Sequence, residues 1–258
     1  MPTIISLSAL AASLFSAAAT AQCTRETLVA ATAKLLDAQT AGTPDTLGSL
    51  DGVAYLEQFK TADITAGILS TAVTIDFNRS LIDTTQCATY TEMVAAKQAH
   101  PYVIGTQMHF TPDGSQISNI STLVTDQGDW LFNATGTLYW ASREAWDVIP
   151  EDQRDTRETI QAAADAYADI FNDKSVTVPW GSPCARLEGG SYTGTGAATD
   201  RCDVGIPSGV SLSNRRYVID ETIGSVDVFI DFASLPDSHE FRVEKGKLRY
   251  VHTITVMA

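Results

Sequence analysis

The chain has 258 residues, 44% of them hydrophobic, and a formal net charge of −14. That length and apolar content suffice for one large or two ordinary cores, and no low-complexity stretch interrupts them. The 31 acidic side chains outnumber 17 basic ones all along the chain, which argues against nucleic-acid and anionic-membrane partners.

Residues 1–21 carry no charge, and Ile4 to Ala19 is apolar or small. Ala19-Thr20-Ala21 is a small-x-small cleavage site before Gln22, so 1–21 reads as a signal peptide and the mature chain as secreted. No other stretch approaches the ~20 apolar residues of a membrane span. Four cysteines, Cys23, Cys87, Cys184 and Cys202, form the even set expected of bridges in an oxidising compartment. Of the three possible pairings, one bridge per half of the chain joins Cys23 to Cys87 and Cys184 to Cys202. A zinc site is the competing reading, but no two cysteines have metal-ligand spacing and no His pair supports them, so no metal is expected. Sequons at Asn78, Asn119 and Asn133 predict a glycoprotein, each asparagine facing solvent if used.

The first helix opens at Thr24-Arg-Glu-Thr27 and continues with Leu28, Ala31, Leu35 and Leu36 on one stripe. The same four letters return at Thr156-Arg-Glu-Thr159, followed by Ile160, Ala163, Tyr167, Ile170 and Phe171. Thr24 and Thr156 are hydroxyls at plausible helix starts, and Asp155 is an equally good cap for the second. Downstream, Phe110 and Phe241 precede Gly-containing turns, and Ile117 and Leu248 follow them in phase. The repeat predicts two copies of one α+β unit, spanning 22–150 and 151–258.

Aromatic residues concentrate between Trp130 and Trp146, where Gly128 to Trp140 reads as a strand followed by a helical turn. Trp180 precedes Gly-Ser-Pro-Cys184, and a Gly-rich run through Tyr192 lies in a loop that the second disulfide would close. Arg186 and Glu188 alternate onto one face. Arg215 to Asp220 reads as a strand with Arg216 and Asp220 on one face and Arg215 and Tyr217 on the other. The last strand puts Leu248, Tyr250, His252, Ile254 and Val256 on one face, making His252 a titratable group among apolar neighbours. Its counterparts in the first copy, Asn119 and Ser121, form a sequon, so the copies are expected to differ in the use of this face. His109 and His239 read as surface positions. Gly-x-Ser-x-Gly, His-Glu-x-x-His, phosphate-loop and dinucleotide motifs are absent, and any chemistry is expected to need no cofactor.

A helix followed by a curved antiparallel sheet ending in such a hairpin resembles the cone fold of the nuclear-transport-factor-2 and polyketide-cyclase-like superfamily. That resemblance implies a helix folded over a bent sheet with a pocket inside, a fold that hosts dehydratases, cyclases, isomerases and binding proteins. The segments Asp-Phe-Asn-Arg-Ser80, Gly-Asp-Trp-Leu-Phe132, Trp-Gly-Ser-Pro-Cys184, Arg-Leu-Glu-Gly-Gly190 and Gly-Lys-Leu-Arg-Tyr-Val-His252 resemble a family of secreted fungal proteins. Some members are hetero-Diels–Alderases that join a tropolone-derived quinone methide to a humulene-type sesquiterpene. The resemblance implies a cofactor-free pericyclase of natural-product biosynthesis. From the residues themselves, Arg216, Tyr217 and His252 are the expected hydrogen-bond donors or acid–base groups. Trp180, Arg186, Tyr192 and Trp140 are the expected substrate-binding wall for apolar small molecules. A non-catalytic carrier of such molecules and a cofactor-free dehydratase or cyclase are the alternatives. Cone folds often pair sheet to sheet, which two copies could satisfy internally or through a homodimer.

Overall fold

The computed structural model describes residues 23–257, so the signal-peptide reading of 1–21 lies outside the described residues. The first half contains α1 (Arg25–Ala41), β1 (Ala54–Glu57), β2 (Lys60–Thr61), β3 (Phe77–Asp83), β4 (Ala88–Ala95), β5 (Tyr102–Phe110) and β6 (Ile117–Thr125). After α2 (Ala134–Ala141) the series repeats as α3 (Arg157–Asp169), β7 (Trp180–Glu188), β8 (Ser191–Tyr192), β9 (Leu212–Asp220), β10 (Ser225–Phe232), β11 (Leu235–Glu244) and β12 (Lys247–Thr255). The two sheets have strand orders β2-β1-β6-β5-β4-β3 and β8-β7-β12-β11-β10-β9, one topology used twice. Each sheet is antiparallel except at one junction, where β1 runs parallel to β6 and β7 parallel to β12. The expectation of wholly antiparallel sheets is corrected there. The strand that follows each unit's helix reaches the last hairpin only by a crossover, which allows parallel pairing. Among the described residues no helix is long and apolar enough to cross a membrane.

The repeated helix starts cap identically. Thr24 Oγ1 accepts from the Thr27 amide at 3.2 Å, and Thr156 Oγ1 from the Thr159 amide at 3.4 Å. Asp155 instead accepts from the Gly246 amide at 2.9 Å and ties the start of α3 to the β11–β12 turn. Residues 128–132, expected as a strand, are turn and irregular chain leading into α2, which Asn133 caps by accepting from the Gly136 amide at 3.0 Å. The disulfides join Cys23 to Cys87 and Cys184 to Cys202.

Ladder pairings give the true correspondence of the copies. Asn119 lies opposite His109, and Tyr250 opposite Arg242, so β6 matches β12 with the expected spacing while His109 matches Arg242. Phe110 therefore corresponds to Val243 rather than to Phe241, and Met108 takes the place of Phe241. The loop after Phe110 is longer than the Lys245-Gly246 turn, and that difference shifts the sequence phase without changing which face each residue uses.

Each unit has its own interior. In the first, Leu35 and Ala38 of α1 pack with Met93, Ile104, Met108 and Ile120. In the second, the Tyr167 ring of α3 lies 5.1 Å from Phe241 and 5.7 Å from Trp180. The opposite faces of the two sheets meet each other, burying Leu81, Tyr90 and Leu123 against Val218, Phe229 and Ile254.

The arginine of each repeated motif holds this junction by reaching into the other unit. Arg157 donates to both oxygens of Asp83 at 2.9 and 2.7 Å, and Asp83 also accepts from the Ile219 amide at 2.9 Å. Arg25 donates to both oxygens of Asp220 at 2.8 and 2.9 Å, and Asp220 also accepts from the Ile82 amide at 3.0 Å. Both carboxylates are buried, and each needs a bidentate partner to offset its lost hydration.

Replacing Arg157 with alanine leaves Asp83 buried and unpaired, which should lower the unfolding free energy by about 3–5 kcal/mol in chemical denaturation. Arg25→Ala should cost less, because Arg25 is 35% exposed and Arg157 only 16%. Equal midpoint shifts for the two variants would contradict this account.

Candidate functional site

His252 sits between the sheets, not inside the second unit. A register shift between Leu248 and Tyr250 separates Leu248 from the stripe expected in the sequence, and Tyr250, His252 and Ile254 face the first unit. There His252 Nε2 lies 2.6 Å from Glu144 and Nδ1 lies 3.1 Å from Glu92. Arg79 completes the cluster, donating to Glu240 at 2.9 and 2.6 Å and to Glu92 at 2.8 Å. The Trp146 ring lies 3.7 Å from the Arg79 guanidinium, and its indole donates to Glu144 at 2.9 Å. Glu144 and Trp146 belong to the segment after α2, which lies over this end of the junction.

Burial alone would lower the His252 pKa, but the Glu144 and Glu92 carboxylates outweigh it and push the imidazole up to about 10. Burial would likewise raise Glu92, but His252 and Arg79 hold it down to about 2. His252 is thus an imidazolium donating from both nitrogens, a structural cation. Glu92, Glu240 and His252 are close enough to suggest a metal site. Arg79 Nη2 stands 2.6–3.0 Å from all three and already supplies the positive charge, so a metal ion does not fit.

The acid–base geometry lies elsewhere. A cavity of about 170 Å³ in the second unit is walled by Tyr167, Phe171, Phe232, Arg186, Asp237 and His239. Asp237 and His239 alternate on β11 onto the same inward face as Phe241. His239 is 3% exposed, not a surface residue as its sequence position suggested. Its Nδ1 hydrogen-bonds Asp237, which also accepts from Thr255. The Phe232 and Phe241 rings lie nearly parallel to the imidazole at 6.3 and 5.9 Å. With Nδ1 held, Nε2 is the nitrogen left for a ligand, and no described residue hydrogen-bonds it. Arg186 spends Nε on Glu188 and Nη1 on the Cys202 carbonyl, both at 2.7 Å, so the Cys184–Cys202 disulfide helps fix this wall.

The first unit has no such pair. By ladder correspondence Ile104 stands where the second unit has Asp237, Thr106 where it has His239, and Val124 where it has Thr255. Tyr55 and Glu57 take the places of Arg186 and Glu188 and bond each other. The alternation that includes Phe241 was the sequence signal that could have placed His239 inside.

The other expected site residues do not converge. Trp180 is a half-buried wall of the second core, and Tyr192 stacks on Trp140 at 4.0 Å, joining β8 to α2. Tyr217 donates to Asp165 of α3 at 2.6 Å, and Arg215 donates to the same carboxylate at 2.9 Å. Arg216, on the opposite face as its parity predicts, borders a second cleft between the sheets together with His109 and Asn119. His109 is therefore also not a simple surface residue, and burial lowers its pKa, with Asp83 opposing and Arg216 adding to the shift. Asn78 and Asn133 are exposed, whereas Asn119 is half-buried. Tyr250, the counterpart of Asn119, is covered by Trp146 at 5.7 Å, so the sequon occupies the same face at its uncovered end.

A family described as a domain of unknown function, DUF8021, matches residues 153–255, which contain α3 and the whole second sheet. No curated protein matches the chain.

The buried cluster predicts a defined pH profile. The contribution of His252 is complete below its ordinary value of 6.5 and is lost as pH rises toward about 10. That of Glu92 is complete above 4.5 and is lost as pH falls toward about 2. Unfolding free energy should therefore decline on both sides of pH 4.5–6.5, and nitrogen-15 spectra should show the His252 ring still doubly protonated at pH 8. A neutral ring at that pH would refute the assignment.

Proposed function

We propose that the protein is a cofactor-independent enzyme that moves protons on one small, largely apolar, oxygen-bearing molecule held in the second, cone-like unit. The observation that carries this reading is the Asp237–His239 pair facing an aromatic-walled cavity. Asp237 fixes the imidazole orientation through Nδ1, and Nε2 is left to exchange protons with the ligand. Arg186 Nη2, with no acceptor among the described residues, can donate to a ligand oxygen. The disulfides fit an oxidising, secretory environment.

Within this class the specific reaction we propose is the one implied by the family resemblance, generation and capture of a tropolone quinone methide. His239 takes the proton from the ring hydroxyl. The carbon–oxygen bond to the departing hydroxyl breaks, and the imidazolium returns the proton to it, releasing water and leaving a neutral quinone methide. The cycloaddition then forms one carbon–carbon and one carbon–oxygen bond with no further proton. A volume of about 170 Å³ is below the ~300–1,000 Å³ of common ligand pockets, so the compact ring reactant lies inside. The humulene-type alkene approaches at the rim, near Trp130 and Leu235.

Purified protein incubated with a hydroxymethyl tropolone and a humulene-type alkene should accelerate product formation and fix its stereochemistry. His239→Asn should lower kcat by about 10²–10⁴-fold, the usual range for loss of a general acid–base group. Rates and stereoisomer ratios equal to those in buffer would overturn the proposal. Saturable binding of the tropolone without turnover would instead favour a carrier.

A further inference from the structure

We propose a second ligand site, distinct from the cavity of Asp237 and His239, in which Arg216 binds the carboxylate of a small apolar acid in the cleft between the sheets. The argument begins with the duplication. Arg79 lies opposite Glu92 on the β3–β4 ladder, and Arg216 lies opposite Phe229 on the β9–β10 ladder. Glu240 lies opposite His252 on β11–β12, and Gln107 lies opposite Ser121 on β5–β6. The fold thus places Arg216, Phe229, Gln107 and Ser121 where the other end of the junction has Arg79, Glu92, Glu240 and His252. The guanidinium is kept, and both carboxylates that neutralise Arg79 are replaced by uncharged side chains.

Even the aromatic platform is kept. Trp146 lies 3.7 Å from the Arg79 guanidinium, and Phe59 lies 3.8 Å from that of Arg216. Phe59 occupies the tight β1–β2 turn, where both Gln58 and Phe59 have positive φ. Gln58 ties that turn to Val124 through a side-chain donation of 2.8 Å and an acceptance of 3.1 Å, which holds the Phe59 ring in place.

The polar groups here are left without protein partners. Among the described residues, the buried Nε of Arg216 and the buried Oγ of Ser121 have none, and Ser121 is only 6% exposed. Gln107 is already engaged, donating to the Arg216 carbonyl at 3.2 Å and to Asp227 at 2.6 Å. Neighbouring charges do not substitute for a ligand. Burial raises the Asp227 pKa well above the ordinary range, and its two oxygens already accept from Ser238 and Gln107. Asp231, the larger of the two carboxylate influences on Arg216, is hydrogen-bonded by Asn214, and burial still lowers the Arg216 pKa. Buried donors of this kind are normally satisfied, so a ligand oxygen is the natural complement.

The cleft measures about 480 Å³, within the ~300–1,000 Å³ of common small-molecule sites. Leu56 and Phe229 line it and Phe59 flanks its arginine, so the body of the ligand meets apolar surface. A planar guanidinium fork matches the two oxygens of a carboxylate, and the Ser121 hydroxyl adds a donor. A phosphate, with more oxygens and charge, would need a second free cation, and the other arginine of the lining, Arg215, is already paired with Asp165 and Asp169.

Calorimetric titration of the intact protein with 2-naphthoate, and with 2-naphthamide as the uncharged control, tests the site. Naphthoate should bind saturably at one site, at least tenfold more tightly than the amide. Arg216→Gln should weaken naphthoate at least tenfold, Arg216→Lys should weaken it less, and Ser121→Ala should cause a twofold to fivefold loss. His239→Asn should leave naphthoate affinity unchanged, so this site and the proposed catalytic cavity fail or stand separately. Naphthoate affinity unchanged in both Arg216 variants, affinity lost only in His239→Asn, or no saturable binding at millimolar concentration would each overturn the proposal.

Discussion

The reciprocal pairing of Arg25 with Asp220 and Arg157 with Asp83 is the constraint on which the rest of the molecule depends. Each arginine starts a helix in one unit and ends in a forked contact with a buried aspartate at the end of a strand in the other. Each aspartate also accepts a backbone amide from the partner unit, Ile82 or Ile219. Helix start, strand end and sheet-to-sheet position are therefore fixed by one four-oxygen arrangement. A buried carboxylate tolerates no slack in such a contact, because its hydration is gone and only directed donors replace it. This explains why the arginine recurs in both copies of the motif.

With the junction held in this way, two ends of one interface become comparable positions, and they have taken opposite courses. At one end Arg79, His252, Glu92, Glu240 and Glu144 form a set of mutually paired charges roofed by Trp146. The cluster has three carboxylates against two cations, and burial keeps the Glu240 pKa raised even though Arg79 opposes the shift. At the other end the arginine stands with serine, glutamine and phenylalanine. The unit interiors diverge in the same manner, with isoleucine and threonine in the first unit where the second has Asp237 and His239.

Much of this architecture was legible in the amino-acid order. Thr-Arg-Glu-Thr marked both helix starts, and strand parity correctly separated Arg216 and Asp220 from Arg215 and Tyr217. Period-two alternation says which residues share a face but not what that face meets. His252 was accordingly grouped with Tyr250 and Ile254, while its true surroundings, Arg79 and Glu92 of the other unit and Glu144 of the connecting segment, are set by tertiary packing. His239 was misread for a related reason. Its place before a turn suggested exposure, whereas Phe241 two residues on shared its face and was core. The Phe110–Phe241 match failed because the two hairpins differ in length, a difference that ladder pairing exposes and sequence phase conceals.

Duplication supplies an internal control that single-copy folds lack. Where the two copies agree, as in the threonine caps and the cross-unit arginines, the residues answer to demands of the common fold. Where they disagree at buried polar positions, the fold has been shown to tolerate an alternative, so the costly choice needs another reason. A buried Asp–His pair beside a cavity and a guanidinium without a carboxylate are both costly, and the opposite copy shows a settled solution for each. The interior pair suits the proton exchange we propose, and the cleft arginine suits the carboxylate we propose. The two sites differ in chemistry because they lie on opposite faces of the same strands, one closed within a unit and one left open between units.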